Sequence, residues 1–332
     1  MPRSLPKLDV NVTNQCNLRC KHCCFQSGEC DLGEMSFTMI MLMLREFIAL
    51  GGQRIDITGG EPLMRKNIDS VLQLAIPEMR LRTELVTNSL LLKDERLRRF
   101  VVMGLNEIAI SLDGSTFETH SRIRGVSERA FRKVLANIKR AAELGIKTKI
   151  NTVVFASNFH ELADITQLAI NLGAREHGFY FFSPIGRGES DADNVADAKD
   201  WLKLVRERLA KFAGKIKISL EVPILETKRA EKLETRCYLE DPWHLQILPD
   251  GNVYPCAIMA ACGKPIGNLY DKSLGEIWED EGLWSGEYYR KNVLPLMEKH
   301  NGCVPYSFSH LVASGEYQFV CLCRKFSPQE VC

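Results

Sequence analysis

Residues 11–24 read NVTNQCNLRCKHCC. Cys16, Cys20 and Cys23 stand in a C-x3-C-x2-C spacing that delivers three thiolates from one short loop. A [4Fe–4S] cube presents four irons, each of which wants a ligand. Three local cysteines leave one iron open, and an open coordination position is where a metal does chemistry, whereas a closed one is structural. Zinc is the alternative: it prefers paired C-x2-C knuckles with a second pair or histidines nearby, and His22 lies inside the loop. Cys24 and Cys30 are extra thiols, readable as small buried hydrophobes or, for Cys24, as a further ligand.

The loop follows a β-branched run, LDVNVT (8–13), and that run opens a regular alternation. Further strands are expected at 54–58, 82–87, 106–112, 146–154 and 177–182. Amphipathic helices are expected at 37–50, 67–79, 94–103, 128–144 and 160–172. This βαβα order with short connections predicts a parallel sheet. Gly51-Gly52, Gly104, Gly145 and Gly173 stand where the helices should end. Six such strands make either a doubly wound sheet or a partial TIM-type barrel, and the pattern alone does not choose. An acidic stretch, 188–200, leads into a helix at about 195–213, a strand at 216–222 and a charged segment at 226–236.

Further motifs fall at strand ends, where parallel barrels place their sites. Gly59-Gly60-Glu61-Pro62 follows the second strand; two glycines let backbone approach a ligand without Cβ interference. SLDGSTFETHSRIRG follows the fourth strand and contains Ser111, Asp113 and Arg124. A guanidinium is the bidentate partner of a carboxylate. Asn88 and Asn151 end or line the third and fifth strands, and FFSPIGRG (181–188) ends the sixth. Arg187 there either binds an anionic group or sits on a turn.

The chain has 332 residues, 45% hydrophobic and 26% charged, with net charge +1. That length allows one large core or two domains, and the neutral balance argues against nucleic-acid binding through bulk charge. The most apolar stretch, MIMLML (39–44), is too short to span a bilayer and is closed by Arg45 and Glu46. With no apolar signal in the first ten residues, the chain reads as cytoplasmic, with neither membrane nor nucleic acid as partner. Of 12 cysteines, five lie in the first 30 residues and seven after residue 236. In a reducing compartment such clusters mean metal or redox work rather than a disulfide framework.

The second cysteine region begins CYLEDPWHLQILPDGNVYPC, framed by Cys237 and Cys256. LQILPDGNVYPC reads as a β-hairpin with an Asp-Gly turn that delivers Cys256. IGNL and SLGEIWED (266–280) follow as a connector and short helix. Cys262, Cys303, Cys321, Cys323 and Cys332 complete the set. Cys321 and Cys323 are two apart, so in extended chain both face one side.

The cysteine loop, the GGEP turn and the S-x-D-G…R-G stretch together resemble the radical S-adenosylmethionine (radical SAM) enzymes. The C-terminal GNV-x-P-C and IGN-L…S-L-x-E-I-W phrases resemble their SPASM/twitch extension. The resemblance implies an α/β fold: a partial (β/α)6 TIM-type barrel over 1–185, a connecting helix and strand over 186–230, and a small α+β cluster-binding domain over 231–332. It implies a [4Fe–4S] cluster on Cys16, Cys20 and Cys23, with SAM chelating the open iron. Gly59, Gly60, Glu61 and Pro62 would bind the SAM amino group, and Ser111 and Arg124, in one stretch with Asp113, its carboxylate and ribose. Asn88 and Asn151 would contact substrate or ribose, and His22 takes a usually aromatic position near the adenine. Full SPASM domains carry a dense C-x2-C-x5-C-x3-C run that is absent here. Seven cysteines serve one auxiliary cluster and fall short of the eight that two would take. The expectation is one twitch-like cluster on Cys237, Cys256, Cys303 and Cys321, with Cys323 nearly equivalent; zinc is the alternative there too.

The implied activity is reductive cleavage of SAM to a 5′-deoxyadenosyl radical that abstracts hydrogen, with ferredoxin or flavodoxin as electron donor. The substrate would be a ribosomal peptide or protein, or a cofactor such as a modified heme, with peptide slightly ahead. No peptide-binding winged helix precedes the cysteine loop, which weakens the peptide case. Two alternatives stand beside this. One is a radical SAM dehydrogenase or cyclase on a small molecule such as an aminocyclitol or nucleotide; the molybdopterin-type cyclase would want a Gly-Gly C-terminus, and this chain ends PQEVC. The other is a two-cluster electron carrier, which has no need of the GGEP and Ser111–Arg124 stretches. No side chain is singled out as catalytic.

Overall fold

β-Branched and aromatic runs pair where the sequence places them: Lys7–Asn11 (β1), Arg54–Thr58 (β2), Arg82–Thr87 (β3), Glu107–Ser111 (β4), Lys147–Val154 (β5), Glu176–Phe181 (β6) and Lys217–Glu221 (β7). The structure is a computed structural model and describes residues 4–29, 32–221, 224–230, 242–284, 289–293, 295, 315, 317–319 and 325–326. β1 to β7 lie side by side in chain order, all parallel. A strand order that never reverses decides between the two architectures the pattern left open. Right-handed crossovers that always advance in one direction put every connecting helix on one face. The opposite face is left to curl into a lumen, so the fold is a partial barrel.

The connecting helices are Phe37–Ala49 (α1), Ile68–Gln73 (α2), Asp94–Met103 (α3), Phe117–Arg124 (α4), Glu128–Glu143 (α5), Leu162–Asn171 (α6) and Ala198–Leu204 (α7). Alternate strand residues such as Leu8, Val10, Ile57, Leu85, Ile108 and Ile150 pack with Phe47 of α1 and Phe131 and Ile138 of α5 into one core. Gly104, Gly145 and Gly173 adopt φ near +82° just past α3, α5 and α6, as helix-ending glycines do.

The other strand face is ionic. Lys7 pairs with Asp9 and Asp56, each at 2.8 Å. Arg54 reaches Asp56 at 2.9 Å and Glu84 at 2.7 Å, Lys147 reaches Glu107 at 2.7 Å, and Lys217 reaches Glu176 at 3.0 Å. Lys149, 1% exposed, donates to the Tyr180 hydroxyl at 3.0 Å. Buried charges persist only when paired, and here the lumen floor supplies the pairs.

The C-terminal residues extend both edges of this sheet. Ile224–Glu226 (β8) leads into Thr227–Ala230 (α8). The hairpin forms as His244–Ile247 (β9) and Asn252–Tyr254 (β10), turning at Gly251 with φ +82°. β9 lies parallel to β1 with Lys7 opposite His244. Ala257–Cys262 (α9), Gly267–Asn268 (β11) and Leu274–Trp278 (α10) follow. β11 pairs with β10, and the Leu274 backbone N–H donates to Glu46 of α1 at 2.6 Å. At the far edge Lys325–Phe326 (β13) pairs antiparallel with β7, while Tyr317–Phe319 (β12) pairs with β8 in a separate ribbon.

Several elements differ from expectation. The helix expected at 67–79 changes after Gln73 to a π turn, Leu74–Glu78, because Pro77 cannot donate an α-helical hydrogen bond. The helix expected from 160 starts at Leu162, after a 3-10 segment Ala156–Glu161. The helix expected at 195–213 is α7 followed by π and 3-10 turns to Phe212. The sequence pattern missed α4 and α9 altogether. α4 is short, with Thr116 as N-cap and Gly125 at its end.

Candidate active site

The cysteine loop, 12–29, is shaped by its own backbone: Cys23 N–H donates to the Cys20 carbonyl at 3.2 Å and Gly28 N–H to that of Asn14 at 2.7 Å. Cys16, Cys20 and Cys23 line one cavity together with Gly59, Gly60, Asn88, Ser111 and Arg124. Cys24, Leu18, Thr58 and Val86 share its wall. Among the described residues no three Cys, His, Asp or Glu side chains converge on one ion position. Zinc draws its thiolates to a single centre at about 2.3 Å, whereas a cube takes one thiolate at each of several irons. Three thiols spread around a cavity fit the cube. Burial pushes the Cys16 thiol up to about 11, and Cys20 upward against the opposing pull of Arg124. Left alone these thiols keep their protons; a metal that takes them as thiolates must displace those protons.

The GGEP turn rests on the cysteine loop. Gly60 N–H donates to the Thr13 carbonyl and Glu61 N–H to that of Gln15, both at 2.8 Å. A Cβ on Gly59 would stand 2.5 Å from the Thr13 oxygen, and one on Gly60 would strike the Gln15 carbonyl. The glycines are therefore required first by contact with this loop. Glu61 is fully buried and accepts from the Thr87 hydroxyl at 2.7 Å, Asn88 N–H at 2.8 Å and Leu63 N–H at 3.2 Å. Its side chain ties the end of β2 to the end of β3, leaving glycine backbone at the cavity, with Pro62 opening a 3-10 turn behind. Asn88 donates to the Asn17 side chain at 2.8 Å, which anchors the cysteine loop to β3.

Arg124 enters from the last turn of α4. Its Nε donates to Asp113 at 2.5 Å and its Nη1 lies 3.8 Å from Cys20 Sγ. Asp113 is fully buried and also accepts from Val153 N–H at 2.8 Å. Burial alone would raise Asp113, but Arg124 holds it below the usual carboxylate range. Asp113 thus stands behind the cavity wall and aims the guanidinium, while Ser111 and Arg124 line the wall. Asn151 sits opposite Ser111 on β5, its Oδ1 buried with no hydrogen-bond partner among the described residues. His22 also lines the cavity; burial, then Arg124, lowers its pKa to about 4. The neutral ring meets Phe155 edge-on, centroids 5.6 Å apart.

Sequence reasoning missed the supports: Thr87, Asn17 and above all Glu161. Glu161 accepts from Ser115 N–H and Oγ, each at 2.7 Å, from Thr116 N–H at 3.2 Å, and from the Thr119 hydroxyl. It fixes the start of α4 from 46 residues away, and no local pattern could have marked it.

Of the second cysteine region, Cys256 caps α9, its Sγ 3.5 Å from Met259 N–H, and Cys262 closes the same helix. Cys30, Cys237, Cys303, Cys321, Cys323 and Cys332 lie outside the described residues. The sequence profile of the Radical SAM superfamily matches residues 10–169, the span from β1 to α6 that holds every cavity motif.

Residues 10–169 belong to the radical SAM superfamily.

The profile of the SPASM iron–sulfur cluster-binding domain matches residues 237–303. This radical SAM enzyme is 27% identical over 305 residues to AdoMet-dependent heme synthase of Methanosarcina barkeri, covering 84% of this chain and 82% of that one. It is 25% identical to the antilisterial bacteriocin subtilosin biosynthesis protein AlbA of Bacillus subtilis, covering 88% and 65%. The solved structure of Streptococcus suis SuiB bound to precursor peptide SuiA shares the radical SAM fold, with TM-score 0.72 at 19% identity over 86% of this chain and 67% of that one.

Proposed function

We propose that this radical SAM enzyme holds a [4Fe–4S] cluster on Cys16, Cys20 and Cys23 and uses it to cleave SAM. The observation that carries this reading is one cavity lined by those three thiols, two bare glycines and Arg124. Held there, such a cluster would supply the single electron needed to cleave SAM to methionine and a 5′-deoxyadenosyl radical, which would take a hydrogen atom from substrate. The chain's residues bind and orient. Glycine backbone at 59–60 receives the SAM amino group, Arg124 pairs with its carboxylate, and Ser111, Asn88 and Asn151 face ribose or substrate. In this reading residues 1–185 form the first six strands of the barrel, 186–230 connect and add β7, and 231–332 carry one auxiliary cluster on Cys237, Cys256, Cys303 and Cys321 or Cys323. Ferredoxin or flavodoxin delivers the electron in the cytoplasm. No helix among the described residues is long and apolar enough to cross a membrane.

The decisive measurement is anaerobic incubation of reduced protein with SAM. 5′-Deoxyadenosine should accumulate, and it should vanish with the Cys16/Cys20/Cys23→Ala variant. Absence of product in the wild type, together with a cluster spectrum indifferent to SAM, refutes the reading.

For substrate we place a tetrapyrrole of heme synthesis first, because the Methanosarcina heme synthase aligns over most of both chains. A peptide is second, supported by AlbA, which aligns over 88% of this chain. Titration with a propionate-bearing iron porphyrin should shift its Soret band; an unchanged band moves the assignment to peptide.

A further inference from the structure

Arg187 follows β6, on the far side of the lumen from β1, yet its side chain ends inside the cysteine loop. Its Nε donates to the Cys20 carbonyl at 3.0 Å, and Nη1 and Nη2 both reach the Ser27 carbonyl at 3.3 Å. Nη1 also pairs with Glu29. Its backbone N–H donates to the Cys23 carbonyl at 3.2 Å. Gly186, at φ +63°, lies so close to the Cys23 and Cys24 carbonyls that any Cβ there would strike them. Arg187, like Arg124, lines the cavity. One residue thus holds the backbone of two of the three thiol-bearing positions and the loop's trailing end, and brings a second cation to the Cys20 corner.

We propose that Arg187 is a positioning residue that clamps the cysteine loop from the opposite end of the barrel, fixing how firmly the cluster is held and raising its reduction potential. The proposal rests on the cluster reading above. A planar fork presents fixed, widely spaced donors to both carbonyls; the donors of an ammonium radiate from one atom on a flexible stem and do not reproduce that spread. A cation near the cluster favours the more reduced, more negative state by simple Coulomb attraction.

The test uses full-length reconstituted protein and the electron paramagnetic resonance signal that responds to added SAM, which separates this cluster from any other. Arg187→Lys keeps the charge and removes the fork; Arg187→Gln removes both. Cluster loss to a chelator should be at least fivefold faster in both variants, and the midpoint potential should fall only in Arg187→Gln. Near-wild-type thermal unfolding of the apo-proteins shows that the variants fold; if Arg187→Gln does not, Glu29→Gln, which loosens one arm of the clamp, should show a smaller acceleration. Wild-type loss rates in both variants overturn the proposal. So does faster loss in Arg187→Gln alone, which would make charge sufficient. A wild-type signal indifferent to SAM instead sinks the cluster reading.

Discussion

Arg124 does its work because Asp113 holds it. The pair is buried, and breaking a buried pair by removing one partner costs about 3–5 kcal/mol. Asp113→Asn keeps the shape and the bond from Val153 N–H but loses the charge. We expect the unfolding free energy to drop by about 3 kcal/mol and SAM affinity measured calorimetrically to fall at least tenfold; unchanged values for both would show the pair to be dispensable. The residue types at this site were legible in the chain, since Cys16, Cys20, Cys23, Gly59, Gly60 and Arg124 all reach the cavity. Their division of labour was not. Asp113 and Glu61 sit in the same motifs as their neighbours, and only the direction each side chain takes puts one on the wall and another behind it.

At the scale of elements, α4 shows what a single sequence hides. Its eight residues carry a low apolar content, and its start is fixed by the distant Glu161. Glu161→Gln should cost about 2–3 kcal/mol, since hydrogen bonds to charged groups are worth about 1.5–3 kcal/mol and these share one acceptor. A denaturant midpoint that does not move would contradict this. β6 carries a second consequence. His177 is fully buried between the Thr152 and Thr166 hydroxyls at 2.8 and 3.0 Å, and burial lowers its pKa to about 3. Unfolded histidine titrates near ~6.5, so between these values the unfolded chain binds the extra proton and stability is lost as pH falls. Next to it Glu176, which burial would raise, is brought down to about 2 chiefly by Lys149 and Lys217. Its contribution is complete above the ordinary glutamate value near ~4.3 and is lost as pH falls toward 2. Melting temperatures at pH 7, 5.5 and 4 should therefore decline, with His177→Gln flattening the step between pH 7 and 5.5; an equal decline in that variant would assign the effect elsewhere. Long periodic helices and β-branched strands were readable because burial imposes their period. The π turn at Pro77 and the 3-10 entry to α6 were not, because both depend on tertiary packing.

For the whole molecule, the parallel order was legible but the place of the C-terminal hairpin was not. Its two strands were evident from PDGNV, yet nothing local says that β9 lies against β1. There it covers what would be the open edge of the barrel sheet, and unpaired edges invite association. A chain ending at residue 241 should lose several degrees of melting temperature and form concentration-dependent aggregates in light scattering. A monodisperse, equally stable fragment would show that the edge protects itself. The pairing also orders events during synthesis. β1 and β9 are 237 residues apart in the bonds that join them, so at 5–20 residues per second the ribosome leaves β1 half-paired for roughly 10–50 s. Throughout that interval the thiols that follow β1 have emerged while one flank of their strand is bare, so the nascent chain offers its cysteines to oxidants and to iron-delivery machinery before the barrel edge is sealed.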